Sequence, residues 1–124
     1  MRYALLIHTD DSAMISPEEQ ARRATELASV TGQLRDRGVL ASSERLLPAD
    51  MATTVRAWDG GDVMVTAGPA VSAREQITGI FLIECADLDA AIEVATKIPA
   101  AWYGTVEIRP AGDPAACPGA APQG

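Results

Sequence analysis

Residues that commonly carry chemistry are scarce in this sequence. Its two cysteines, Cys85 and Cys117, are too few for a disulfide framework or a zinc site, both of which gather several ligands at short spacing. There is one histidine, His8, and no glycine-rich phosphate loop, metal-ligand cluster or nucleophile triad. Basic residues are outnumbered, 10 Lys and Arg against 17 Asp and Glu, for a net charge of −7. That balance argues against nucleic acid as a partner, because a duplex demands a basic face. No run approaches the roughly 18 apolar residues of a membrane helix. Met1-Arg2-Tyr3 leads into a strand-like segment rather than a signal peptide, so a cytoplasmic location is expected, with no membrane partner. Aromatic residues make up only 4% of the chain, so the placing of each one matters.

What remains is ample for a core. At 124 residues and 48% apolar content, one domain is expected. Tyr3 to His8 is an apolar run of one strand's length, stopped by Thr9-Asp10-Asp11-Ser12, and reads as a central first strand. Ser16-Pro17-Glu18-Glu19 opens a helix, with Ser16 as N-cap, Pro17 at the first helical position and Glu19 closing a capping box. Ala21, Ala24, Leu27, Ala28, Thr31 and Leu34 form a stripe of mostly small residues suited to close approach to a sheet, and Gly38 stops the helix. Gly32, inside it, costs about 1 kcal/mol relative to Ala, which suggests that a neighbouring backbone needs the space.

Val39 to Leu47 reads as a second strand. Thr53 to Trp58 and Asp62 to Thr66 read as a hairpin around Asp59-Gly60-Gly61, expected to extend the sheet. Thr78 to Cys85 is a further strand. Asp87 then caps a helix with an apolar face of Leu88, Ala91, Ile92 and Ala95, ended near Lys97 and Pro99, and Thr105 to Ile108 closes the sheet. The order predicts an α+β, ferredoxin-like fold, two β-α-β units with an inserted β-hairpin, over residues 1–110. Residues 111–124 lack periodicity and bulk and are expected to form a flexible tail. Two helices leave one face of such a sheet uncovered, and a bare apolar face demands a cover.

The segment Val65-Thr66-Ala67-Gly68-Pro69-Ala70, followed by Arg74-Glu75-Gln76, resembles the signature of YCII-related proteins of the DGPF type. In those proteins a strand ends in Asp-Gly-Pro-Phe, a few residues before Lys-Glu-Gln. Glu44-Arg45-Leu46, Thr53-Thr54-Val55-Arg56, Gly79-Ile80-Phe81-Leu82-Ile83 and Gly104-Thr105-Val106-Glu107-Ile108-Arg109-Pro110 extend the resemblance over residues 1–110. It implies a homodimer, a dimeric α/β barrel in which the second copy covers the open face. Ala67 and Ala70 stand where the motif has its Asp and Phe, which leaves no carboxylate or ring there to carry over and suggests an enlarged apolar pocket for a polyketide-like ligand. The His-Asp pair associated with YCII proteins has its His on the first helix; no His lies there in this chain, so the pair is not transferred.

The catalytic candidates are therefore read from the residues themselves. His8 ends the first strand, two residues before Asp10-Asp11. Imidazole ordinarily titrates near pH ~6.5, suiting it to acid-base work with Asp10 or Asp11 orienting it. A strand-edge histidine bonded to a loop, and solvated loop acids, explain the same residues. Glu44 is a candidate ligand contact or the partner of Arg56 or Arg74 in a structural ion pair. Arg74, Glu75 and Gln76 suit a carboxylate or carbonyl-bearing molecule, Arg as a bidentate clamp and Gln as a donor, although Arg74 could equally pair with Glu75. Trp58 and Phe81 join the substrate-binding candidates as bulky walls. The expected function is proton transfer on a carbonyl-bearing or phenolic small molecule by elimination, isomerisation or cyclisation, without metal or cofactor. A non-catalytic ligand-binding or accessory protein is the alternative.

Overall fold

A computed structural model describes residues 1–10 and 14–112. These residues form strands β1 (Arg2–Thr9), β2 (Leu40–Arg45), β3 (Thr53–Ala57), β4 (Val63–Ala67), β5 (Gln76–Glu84) and β6 (Thr105–Ala111). The helices are α1 (Pro17–Asp36) and α2 (Leu88–Lys97), with short 3-10 turns at Ala49–Met51 and Pro99–Trp102. Four strands make an antiparallel sheet in the order β2-β5-β1-β6. This α+β arrangement, with β1 and β5 central, is consistent with a ferredoxin-like fold.

Both helices pack on one face of the sheet. Alternation along β1 sends Tyr3, Leu5 and Ile7 into a core with Phe81 and Ile83 of β5, Leu34 of α1 and Ala91 and Val94 of α2. Leu5, Leu34, Ile83 and Ile98 are almost completely excluded from solvent, each worth about 1.5–3 kcal/mol of transfer free energy. The other face carries Ala4, Leu6, Ile80 and Leu82, all half-buried, and neither helix covers it.

Ser16 caps α1 as expected, its Oγ accepting from the Glu19 amide at 3.1 Å. The Glu19 carboxylate does not complete a capping box; Arg22 and Arg23 hold it instead. Gly38 stops the helix at φ +72°, a conformation that favours glycine, while the Val39 amide bonds back to the Leu34 carbonyl at 2.9 Å.

Four expectations are corrected. The small-residue stripe does not lie on the sheet along its length: Ala21, Ala24 and Ala28 are exposed, and α1 is anchored by Leu34 with Leu27 and Val30. Nothing would meet a Cβ on Gly32, so no neighbour requires that glycine. On α2 the buried residues are Ala91, Val94 and Ala95, while Leu88 and Ile92 are exposed. The hairpin does not extend the sheet but forms a separate two-stranded sheet, β3 with β4. Pro48 and the following 3-10 turn break the chain away from the line of β2, and Gly60 and Gly61, at φ +99° and +95°, close the hairpin.

At the C-terminal end, β6 runs past the expected boundary at residue 110, with Ala111 paired to Arg2. Pro110 is tolerated because β6 is an edge strand. Residues 113–124, which hold Cys117 and most of the expected tail, lie outside the described residues, as does Asp11.

Candidate functional site

His8 stands on the sheet face that neither helix covers. It is a neighbour of Ile77 on β5 and Thr105 on β6, and a register irregularity between Ile7 and His8 leaves Thr78 as the extra residue of β5. Thr78 is not idle, since its hydroxyl bonds to that of Thr9 at 2.8 Å.

The carboxylate on His8 comes from β6. His8 Nε2 lies 3.0 Å from Glu107 Oε1, a diagonal cross-strand pair. Glu107 Oε2 also accepts from Arg109 at 3.3 Å. The His8 hydrogen bond, then that from Arg109, holds the Glu107 carboxyl below the usual carboxylate range. An ionised carboxylate only accepts, so this bond puts a proton on Nε2 and leaves Nδ1 of a neutral ring as the atom that takes up a proton.

Strand register gathers the rest of the site. Glu44, Ile80, Leu6 and Glu107 form one row across β2, β5, β1 and β6, with carboxylates at both ends and an apolar middle. Next to it Thr105, opposite His8, donates through Oγ1 to Glu75 Oε1 at 2.9 Å. Glu107 thus bonds the imidazole, Glu75 bonds the threonine opposite it, and Glu44 ends the row two strands away. No ion pair joins Glu44 to Arg56 or Arg74 among the described residues.

The remaining candidates are dispersed. Arg56 and Trp58 belong to the hairpin and its turn, both exposed, and Arg74 is exposed on the loop before β5. Gln76 donates to the Val71 and Ala73 carbonyls at 2.9 and 3.0 Å, fastening its own loop. Phe81 is buried on the helix side. Asp10 lines a separate cleft of ≈ 930 Å³ between α1 and the sheet, reached also by Phe81. Ala67 and Ala70 are exposed and do not line that cleft, so the enlarged pocket expected at the motif is not where the space lies. What the motif does supply is a bend: Gly68 adopts φ +112° and bonds back to the Ala52 carbonyl at 2.8 Å, tying off the hairpin.

The sequence alone does not single out Glu107. Alternation within Thr105-Val106-Glu107-Ile108-Arg109 sets it apart from the apolar Val106 and Ile108, but only the pairing of the last strand with the first brings it to His8.

The YCII-related domain model matches residues 1–113. The chain belongs to the YCII-related family. Among its similar proteins is an uncharacterized protein of Rhizobium meliloti (strain 1021), 35% identical over 114 residues, which cover 89% of this chain and 91% of the relative. Family membership spans all the strands and both helices of this YCII-related chain, the His8–Glu107 pair included. Among the described residues no three His, Cys, Asp or Glu side chains are grouped to hold a metal ion, and no helix is long and apolar enough to cross a membrane.

Proposed function

We propose that this YCII-related protein, of the DGPF type, is a cytoplasmic, cofactor-independent enzyme that transfers a proton on a carbonyl-bearing or phenolic substrate. The observation that carries the reading is the 3.0 Å contact between His8 Nε2 and Glu107 Oε1 beside an apolar floor. In this mechanism Glu107 fixes the ring tautomer and stabilises the imidazolium when Nδ1 removes a proton. Leu6 and Ile80 support the body of the substrate. Elimination, isomerisation and cyclisation all require such a proton transfer. Arg74, without an ion pair among the described residues, is proposed to hold a developing enolate or a carboxylate. A second copy of the chain covers the His8 face, which excludes water and completes a dimeric α/β barrel.

Aromatic polyketide-like compounds and small keto acids, screened by thermal shift and then assayed for conversion, test this. His8→Ala is expected to abolish turnover, and Glu107→Gln to lower kcat by about 10²-fold or more with KM little changed. Turnover that survives His8→Ala sinks the proposal. A non-catalytic ligand-binding role is the second reading, favoured by the alanines at the motif's Asp and Phe positions. Under it, compounds stabilise the wild type and His8→Ala alike and no product forms.

A further inference from the structure

We propose that the cleft between α1 and the β2–β5 edge binds a small amphipathic carboxylate, an aryl or alkyl acid, with its head group at Arg45 and Ser43. This cleft is on the helix side of the sheet, opposite His8, and the inference does not rest on the proton-transfer reading.

The space has a structural origin. The N-terminal half of α1 presents exposed Ala21 and Ala24, and Gly79 of β5, level with Arg45 of β2, has no side chain to fill the gap. The resulting cleft of ≈ 930 Å³ is of the size that takes small ligands. Its floor is apolar, supplied by Ile7, Leu27, Phe81 and Ile98.

The polar groups are set against that floor. β1 and β5 fill the helix side with Tyr3, Leu5, Ile7, Phe81 and Ile83, whereas β2 places Ser43 and Arg45 there, two residues apart and so on one face. Among the described residues neither side chain has a hydrogen-bond or ion-pair partner, and nor does that of Gln20, across the cleft on α1. The other cation of the cleft, Arg23, is already committed: Glu19 accepts from its Nε, and its guanidinium lies 3.6 Å from the Tyr103 ring centroid. Arg45 is therefore the cleft's unspent positive charge, and a guanidinium with a neighbouring hydroxyl is a carboxylate receptor. Glu44 also lines the cleft, but it pairs with Ile80 and alternation turns its side chain to the opposite face; Asp10 lines the cleft from the end of β1, two strands from Arg45. Exposed Leu46 and Leu47 continue the apolar wall past the strand end and meet a hydrocarbon tail there.

Titration calorimetry with octanoate and 3-phenylpropanoate, and with octylammonium as the charge-reversed control, tests the assignment. At least one acid is expected to bind, octylammonium is not, and Arg45→Gln is expected to weaken the acid about tenfold or more, the factor one charge-assisted hydrogen bond carries. Ser43→Ala weakens it less, and His8→Ala leaves it unchanged, with amide shifts confined to the cleft-lining residues of α1, β1, β2 and β5 and the turn after Ile98. Arg45 is exposed, so an unchanged Tm certifies that its variant is folded. No binding of either acid at millimolar concentration, equal affinity for Arg45→Gln, or loss of binding in His8→Ala would each overturn the inference.

Discussion

Glu107 and Glu19 are the carboxylates whose surroundings favour the ionised form most clearly. Glu107 is held low by His8 and then Arg109; Glu19 is held low by Arg22 and then Arg23. A carboxyl whose folded pKa lies below its unfolded value contributes stability that is fully present above the unfolded value, about 4.3 for Glu. That contribution is lost as the pH falls through the lowered folded value. Urea midpoints measured between pH ~6 and pH ~2.5 should therefore fall less in Glu107→Gln than in the wild type. An equal fall would show that the His8 contact does not favour the carboxylate. Gly104 matters for a different reason: a Cβ there would lie 2.3 Å from the His8 carbonyl oxygen and 3.2 Å from that of Ala100. Backbone atoms cannot step aside as a flexible side chain does. Gly104→Ala is expected to cost about 3 kcal/mol in chemical denaturation, and any activity that depends on His8 should fall with it. A variant with wild-type stability would refute the close approach.

The elements were legible where local chemistry decides them. Ser16-Pro17 and Asp87 mark helix starts, and their side-chain oxygens accept from the Glu19 and Ala90 amides as such caps must. Asp59-Gly60-Gly61 marks a hairpin, which formed. Whether that hairpin joins the main sheet, which carboxylate reaches His8, and which helix residues face the core depend on contacts far apart in sequence, and there the local signals gave out. Leu88 and Val94 of α2 are both apolar, yet only Val94 is buried, because periodicity gives the width of a helix stripe but not which edge of it meets the sheet. Gly32 belongs to this scale as well. With open space where its side chain would be, Gly32→Ala should stabilise the protein by about 1 kcal/mol, read as a raised urea midpoint with unchanged slope. A loss of stability would mean that the helix does need glycine there.

For the molecule as a whole, the sheet face that neither helix covers sets the expected assembly. Leu6 and Ile80 lie side by side in register at its centre. If a second copy covers them, Leu6→Glu buries a charge without a partner, and sedimentation should show dissociation to monomers. In a protein that is monomeric throughout, the same change leaves the sedimentation coefficient alone, and the barrel proposal fails. The hairpin carries a further consequence. Its two strands share no ladder with the four-stranded sheet, and their exposed Val55, Val63 and Val65 are not part of its core. Melting β3 and β4 is therefore expected to break few of the contacts that hold β1 and β5, giving the chain two thresholds for opening rather than one. Amide protons in the hairpin are set to exchange with solvent while those of the central strands stay locked, so this segment lives on a faster clock than the domain that carries it.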